Sequence, residues 1–291
     1  MQSVDYQLQL LGYHTSRMRI NEDIWPAGGK VYKALTIAGS DSGGCAGIQA
    51  DLRAFAALGV HGLTAITSVT AQNTRQVLEV CNLSGRMVSS QIDAVMNDIG
   101  ADAAKTGMLA APEIIEAAAD GVLRHGINRL VVDPVMVSTG GDELVSKEAA
   151  AIMVGKLFPL AMVITPNLDE ASFLTGSPIR TLQDMKTASS RLLESGAGAV
   201  LVKGGHLEDS PESIDLFYDG ESYLEFRSPR LETSNTHGSG CTLAAAIAAL
   251  LAKGNGLAEA VGMAKQYVTG AIRNSYSLGE GNGPLGHFFI D

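Results

Sequence analysis

Short apolar runs alternate with amphipathic segments along the chain from Lys33 onward. The runs end at glycine or polar residues, which is typical of buried strands. Between them, apolar residues recur every three or four positions, as on a helix that packs through one face. The clearest case is 87–99, where Val88, Ile92 and Met96 share a face.

The pattern predicts strands over 34–38, 63–69, 103–108, 129–133, 161–165 and 199–203. It predicts helices over 48–58, 87–99, 112–125, 147–158, 182–194, 241–252 and 257–274. A hairpin over 214–217 and 223–226 is expected to turn at Asp219-Gly220. Because strands and helices alternate, we expect an α/β fold whose largely parallel sheet is covered by helices on both faces.

Residues 31–291 are predicted to form a single domain, preceded by an N-terminal extension over 1–30. The extension has no sustained apolar period and ends in a Pro-Ala-Gly-Gly run, so we expect a flexible or loosely docked arm. An organelle transit peptide is the alternative, although three acidic residues in the segment weigh against it.

The composition narrows the functional classes. The 291 residues carry a net charge of −10, which argues against a general binder of nucleic acid or of anionic membranes. No run of about 18 apolar residues occurs, so no membrane span is predicted. Cys45, Cys81 and Cys241 cannot all pair and have no CxxC spacing, so we expect neither a disulfide framework nor a zinc site. A reducing cytoplasm is the simplest setting.

Polar and glycine-rich segments follow the predicted strands. Ligands of open α/β sheets bind at the carboxyl ends of the strands, so these segments are the expected site. They are 39–47, 70–73, 105–108, 133–136, 165–170, 203–206 and 235–241.

The segment Gly238-Ser239-Gly240-Cys241 opens a predicted helix. Its glycines allow successive N–H groups to face one concavity, and the helix adds partial positive charge at its N-terminus. Together they suit a phosphate or a phosphoryl group in transfer. The same field is expected to favour the thiolate of Cys241, which could then accept a proton from a substrate hydroxyl. A plain glycine turn with a small buried cysteine fits the segment equally well.

Several other residues also allow both a structural and a ligand-binding interpretation. The glycines of 39–47 form neither a P-loop nor a clean dinucleotide fingerprint, and a tight turn explains them best. Asp133 and Glu170 each follow a strand and suit Mg²⁺, but Asn167 and Glu170 also have the spacing of a helix capping box. Lys203 could neutralise a nucleotide phosphate or be an ordinary solvated lysine.

These segments, taken in order, closely resemble the hydroxymethylpyrimidine/phosphomethylpyrimidine kinases of thiamine biosynthesis. The resemblance extends over about 33–274. It rests on ALTIAGSDSGG (34–44), AGIQAD (46–51), TAQNT (70–74), KTGML (105–109), VDPVM (132–136), ITPNL (164–168), KGGH (203–206) and NTHGSGC (235–241).

The resemblance implies a ribokinase-like fold with a small β flap, and an enzyme that uses ATP and Mg²⁺. Such enzymes phosphorylate the hydroxyl of 4-amino-5-hydroxymethyl-2-methylpyrimidine and then convert the monophosphate to the diphosphate. Many are homodimers, and we expect the same here.

The resemblance also implies a substrate pocket. Gln72 matches the glutamine that hydrogen-bonds the pyrimidine. Gly39, Asp51, Met108 and Val135 match positions that bind the substrate around the ring.

For phosphoryl transfer, the resemblance assigns an anion hole, a metal site and ATP contacts. The anion hole comprises Gly238, Ser239, Gly240 and Cys241, and the cysteine stands where sugar kinases of the superfamily keep an aspartate base. Asp133 and Glu170 match the carboxylates that bind magnesium. Lys203, Asn167 and Thr236 match ATP contacts.

The chain departs from the family pattern at Cys45, where relatives usually have glycine, at Ser239, where threonine is common, and in the extension over 1–30. Two alternatives stay open. One is a pyridoxine or pyridoxal kinase, whose substrate is a similar hydroxymethyl heteroaromatic ring. The other is a pyrimidine sensor that binds without turnover. A sugar kinase is disfavoured, because cysteine replaces the aspartate base.

Overall fold

A computed structural model describes residues 29–136, 145–205, 207 and 211–289. Nearly all of the expected extension over 1–30 lies outside these residues, as does His206 of the KGGH segment. The described part contains a nine-stranded sheet in the order β3-β2-β1-β4-β5-β6-β7-β8-β9. Six neighbouring strands pair in parallel, in the order β2-β1-β4-β5-β6-β7. The strand β3 at one edge and the strands β8 and β9 at the other are antiparallel to their neighbours.

The strands are β1 Lys33–Asp41, β2 His61–Gln72, β3 Val77–Asn82, β4 Ala103–Thr106, β5 Leu130–Val132, β6 Val163–Ile164, β7 Val200–Gly204, β8 Glu212–Tyr218 and β9 Tyr223–Pro229. The helices are α1 Gly47–Ala57, α2 Gly85–Asp98, α3 Pro112–Arg124, α4 Lys147–Ile152, α5 Leu168–Thr175, α6 Leu182–Leu193, α7 Ser239–Ala252 and α8 Leu257–Arg273. Every predicted strand, helix and hairpin arm overlaps one of these elements, which confirms the α/β prediction.

Helices cover both faces of the sheet because the strand side chains alternate between two apolar cores. Leu35 and Ile37 of β1 pack with α2 to α6 on one face. Ala34 of the same strand packs with α1, α7 and α8 on the other. The helix α7 is buried from Thr242 to Ala252, so it packs into the apolar core along almost its whole length.

Three features differ from the prediction. The strand β3 was missed because nearly all its side chains are exposed, so neither face has the apolar pattern of a buried strand. The helix α5 is not predicted by the apolar pattern, although Asn167 and Glu170 at its start have the capping-box spacing. The helix predicted over 147–158 is α-helical only to Ile152, and continues as a π-helical turn and a 3₁₀ turn that contains Pro159.

The hairpin of β2 and β3 projects at one edge of the sheet and forms the small β flap that the resemblance implied. Within the described residues, no helix is both long enough and apolar enough to cross a membrane.

Candidate active site

A cleft of about 1180 Å³ lies along the carboxyl ends of the parallel strands. All but one of the residues predicted to act at the site line this cleft. They are Gly39, Gln72, Met108, Asp133, Val135, Asn167, Glu170, Lys203, Thr236, Gly238, Ser239, Gly240 and Cys241. The exception is Asp51, which is fully buried behind the cleft wall.

Lys203, Asp133 and Glu170 form a charged cluster in the middle of the cleft. Lys203 Nζ lies 2.7 Å from Asp133 Oδ1 and 3.8 Å from Glu170 Oε2. Burial lowers the pKa of Lys203, but the carboxylates of Asp133 and Glu170 more than offset this, so the net pKa is raised and the ammonium stays charged. Lys203 is therefore a fixed cation facing the cleft, and not a solvated lysine.

Asn167 and Glu170 form the capping box that their spacing suggested, at the start of α5. Asn167 Oδ1 accepts from the Glu170 N–H at 2.8 Å, and Glu170 Oε2 accepts from the Asn167 N–H at 2.7 Å. Both residues also line the cleft, so the capping box does not remove them from the candidate site. Burial raises the pKa of Glu170 to about 7, although Lys203 acts in the opposite direction.

The turn before α7 brings backbone N–H groups next to this cluster. Gly238 has φ of 83°, and a Cβ there would lie 2.0 Å from the carbonyl oxygen of Cys45, so the turn requires glycine. A Cβ on Gly240 would lie 3.2 Å from Lys203 Nζ. The N–H groups of Gly240 and Cys241 have no acceptor among the described residues. This cavity of unpaired N–H groups beside a fixed cation suits an anion.

Cys241 does not behave as the sequence suggested. Burial raises the pKa of its thiol to about 11, although Lys105 lowers it and Asp51 and Asp133 add to the rise. Burial, the largest influence on this pKa, therefore opposes the thiolate that we expected at the helix terminus. At neutral pH the residue is a thiol that lines the cleft.

Asp51 lies one layer behind the cleft in an ion pair with Lys105. Its carboxylate oxygens lie 3.0 and 2.9 Å from Lys105 Nζ, and Thr36 Oγ1 donates to it at 2.7 Å. Both charged side chains are completely inaccessible. The buried position and full set of partners leave no atom of Asp51 for a substrate, so its predicted contact with the ring is corrected to support of Lys105.

The first glycine-rich loop, 42–47, is a turn built around Asp41. The carboxylate of Asp41 accepts from the N–H groups of Gly43, Cys45 and Ala46, each at 2.8 Å. Because a side chain of the protein already supplies the negative charge, this loop is not a phosphate cradle. The turn interpretation of the loop is confirmed.

The residues predicted to bind the substrate ring lie together in another part of the cleft lining. A Cβ on Gly39 would lie 2.6 Å from Met108 Cε, so glycine lets the methionine pack directly on the strand. Val135 lines the cleft next to Asp133. Gln72 lies at the end of β2, where its Oε1 accepts from Thr70 Oγ1 at 3.2 Å and its Nε2 lies 3.2 Å from His237 Nε2.

The carboxylates fit Mg²⁺ only as a partial ligand set. The described residues contain no cluster of three or more His, Cys, Asp or Glu that could hold a metal. Asp133 Oδ1 is occupied by Lys203 and Thr165, whereas its Oδ2 has no donor among the described residues. One or two carboxylates completed by phosphate oxygens and water are the usual Mg²⁺ site of a kinase. Asp133 and Glu170 are compatible with that arrangement.

Some cleft residues carried no predicted role. Lys265 of α8 pairs with Asp215 of β8 at 2.8 Å and donates to Ser213 Oγ at 2.9 Å, and all three line the cleft. Asp215 also accepts from the N–H of Gly204, directly after Lys203. A lysine on the apolar face of the last helix was the available signal.

Comparison with known proteins agrees with this geometry. The profile of the phosphomethylpyrimidine kinase family matches residues 41–286. A hydroxymethylpyrimidine/phosphomethylpyrimidine kinase of Rhizobium meliloti (strain 1021) is 52% identical over 258 residues, which cover 88% of this chain and 96% of the relative.

Solved structures of related kinases share the fold. A phosphomethylpyrimidine kinase from Clostridium difficile 630 is 41% identical with a TM-score of 0.74, covering 83% of this chain and 99% of its own. Pyridoxal kinase of Bacillus subtilis, solved as an ADP complex, is 41% identical with a TM-score of 0.84, covering 89% of this chain and 98% of its own. The fold is therefore ribokinase-like, and the chain belongs to the phosphomethylpyrimidine kinase family.

Proposed function

We propose that this protein transfers the γ-phosphoryl group of ATP to the hydroxyl of 4-amino-5-hydroxymethyl-2-methylpyrimidine, and then phosphorylates the monophosphate to the diphosphate. The supporting observation is that one cleft holds a fixed cation, a turn with unpaired N–H groups and an amide side chain suited to an aminopyrimidine. Family membership and the relatives named for this activity support the same assignment.

The role of each residue follows from its position along the cleft. Gln72 holds the ring at one end, between Gly39, Met108 and Val135. The N–H groups of the Gly238–Cys241 turn hold the migrating phosphoryl, and the Lys203 ammonium offsets its charge.

Asp133 and Glu170 would hold Mg²⁺, which supplies charge neutralisation on the phosphates when it is bound. Asn167 and Thr236 line the ATP side of the cleft, next to the capping box and the turn. An ADP complex of the Bacillus subtilis relative supports ATP as the donor.

Cys241 serves the substrate hydroxyl as a thiol. With a pKa of about 11 it holds its own proton at neutral pH, so it positions the hydroxyl in the resting state. Phosphoryl transfer through a loose transition state needs little early proton removal, and positioning accounts for most of its catalysis.

Phosphorylation of pyridoxal is the second candidate. It is favoured by the likeness to the Bacillus subtilis pyridoxal kinase at a TM-score of 0.84. The test incubates purified protein and MgATP with the aminopyrimidine or with pyridoxal, and follows products by ³¹P NMR. A pyrimidine monophosphate that later becomes a diphosphate supports the first function. Product from pyridoxal alone supports the second, and ligand binding without any product supports a sensor.

We propose that the enzyme is a homodimer that associates through the flap. The edge strand β3 and the adjacent β2 expose Val69, Leu78 and Val80, with Leu78 66% accessible. An unpaired edge strand with apolar side chains favours association with another chain. Light scattering after size exclusion should give twice the monomer mass for the wild type and the monomer mass for Leu78→Asp. A monomeric wild type would contradict the proposal.

We further propose a cytoplasmic location, because Cys45, Cys81 and Cys241 are all free thiols. Activity that fractionates outside the cytoplasm would contradict this.

A further inference from the structure

We propose that His237 is a positioning residue that fixes the amide of Gln72 and thereby sets the preference for an aminopyrimidine ring. The inference rests on the proposed function. His237 stands directly before the Gly238–Cys241 turn, is 4% accessible and lines the cleft. The sequence motif contains it, but neither the predicted roles nor the phosphoryl-transfer argument uses it.

The Gln72 amide is held at both of its ends. Its Oε1 lies 3.2 Å from Thr70 Oγ1, a hydroxyl whose one proton is shared with the Ser40 carbonyl at 2.9 Å, and its Nε2 lies 3.2 Å from His237 Nε2. An amide nitrogen can only donate, so the facing imidazole nitrogen is the acceptor and the ring proton sits on Nδ1, a buried atom with no hydrogen-bond partner among the described residues. This protonation state is assigned from the hydrogen-bond pattern. Burial lowers the pKa of His237, although Asp41 acts in the opposite direction, so the ring is neutral as the assignment requires.

The backbones on both sides of this contact are fixed. Ser42 accepts from the Gln72 N–H and donates to the Gln72 carbonyl, each at 2.8 Å. The N–H of His237 donates to the carbonyl of Gly283 at 3.2 Å. The next residue, Gly238, is wedged against the carbonyl of Cys45. Only the side-chain torsions of Gln72 are free to vary, and His237 and Thr70 restrain them.

After these contacts the amide keeps one N–H donor and one oxygen lone pair. That pair is complementary to a ring nitrogen next to an exocyclic amine, which accept and donate respectively. An aminopyrimidine has such an edge. Pyridoxal carries an aldehyde next to its hydroxymethyl group and a hydroxyl one ring position further, and has no such edge. Loss of the His237 acceptor would free the amide to rotate, and the match to the aminopyrimidine would be lost.

A double-mutant cycle tests the inference, with kcat and KM measured for the pyrimidine and for ATP. His237→Leu should raise KM for the pyrimidine about 10-fold, the factor that one positioned hydrogen bond supplies, with KM for ATP nearly unchanged. In a Gln72→Ala background the same change should have almost no further effect on the pyrimidine. His237→Gln, which places an amide oxygen near the former Nε2, should recover most of the wild-type KM.

A matched control is His287→Leu. His287 is also buried, but it contacts Thr242 at 3.1 Å and does not line the cleft. Its replacement should lower the melting temperature and leave KM for the pyrimidine unchanged.

The possible outcomes distinguish failure of the positioning role from failure of the proposed kinase function. Wild-type protein that neither binds nor phosphorylates the aminopyrimidine would overturn both. Two results would overturn the positioning role alone while the wild type stays active. One is that the losses from Gln72→Ala and His237→Leu are additive. The other is that His237→Leu raises KM for the pyrimidine and KM for ATP equally.

Discussion

Replacing Asp51 by asparagine should destabilise the protein strongly, because it leaves the buried ammonium of Lys105 without a counter-charge. Asparagine keeps the shape of the side chain and an oxygen for the Thr36 hydroxyl, which donates to Asp51 at 2.7 Å. The substitution removes only the charge that faces Lys105 Nζ at 2.9 and 3.0 Å. Neither side chain of the pair reaches solvent, so water cannot replace the lost partner.

The magnitude follows from that burial. Breaking a buried ion pair from one side costs about 3–5 kcal/mol, out of a total stability of about 5–15 kcal/mol. For a chain of this size the loss corresponds to a fall in melting temperature of about 6–10 °C. Thermal and urea unfolding followed by circular dichroism measure it.

Two variants control the interpretation. Asp51→Asn combined with Lys105→Met removes both charges and should recover most of the lost stability, because no unpaired charge then stays buried. Asp93→Asn breaks an exposed pair with Arg124, and should leave the melting temperature nearly unchanged. A double variant as unstable as Asp51→Asn would refute the electrostatic explanation.

The same pair predicts a pH dependence. Burial lowers the pKa of Lys105, but Asp51 outweighs it and the net pKa is raised. A folded-state pKa above the unfolded value of about 10.4 stabilises the wild type below that pH, and the gain is lost as pH rises through the folded value. In Asp51→Asn the sign reverses, because an unpaired buried lysine releases its proton on folding. The stability gap should therefore narrow between pH 7 and pH 9, and a constant gap would contradict the reasoning.

Three further predictions concern the cleft. Cys241→Ala should lower kcat about 100-fold in a steady-state assay, because it removes the thiol that positions the substrate hydroxyl, and an unchanged kcat would remove the thiol from catalysis. Lys203→Met should raise KM for ATP and lower kcat at least 10-fold, because it removes the fixed cation and leaves the Asp133 carboxylate without its ion-pair partner. Kinetics equal to those of the wild type would exclude a contact between Lys203 and phosphate. Gly240→Ala should reduce kcat/KM for ATP, because a Cβ would lie 3.2 Å from Lys203 Nζ, whereas Gly155→Ala, with open space around it, should be neutral.

Apolar periodicity was sufficient for the parallel strands and most of the helices, because these elements bury one or both faces. It failed for β3, whose side chains are mostly exposed, and for the end of the helix over 147–158, where Pro159 follows a π-helical turn. The periodicity of apolar residues indicates which faces are buried, so it does not predict elements that lack a buried face.

The site was predictable at the level of which residues meet, because parallel strands bring their carboxyl ends to one edge. Burial was not predictable in the same way. The sequence does not reveal that the Cys241 thiol is desolvated, which raises its pKa, or that Asp51 is inaccessible and paired with Lys105 instead of facing the substrate.

The two glycine-rich loops show how similar sequences acquire opposite chemistry. In the first loop, three N–H groups converge on the carboxylate of Asp41, so the loop is already neutralised by the protein. In the second, the N–H groups of Gly240 and Cys241 have no acceptor among the described residues, and Lys203 adds a cation. An anion entering the second loop gains hydrogen bonds that the empty protein lacks, whereas one entering the first would have to displace a carboxylate. We therefore expect phosphoryl transfer at the start of α7, whereas the loop after β1 supplies the Cys45 carbonyl against which Gly238 packs.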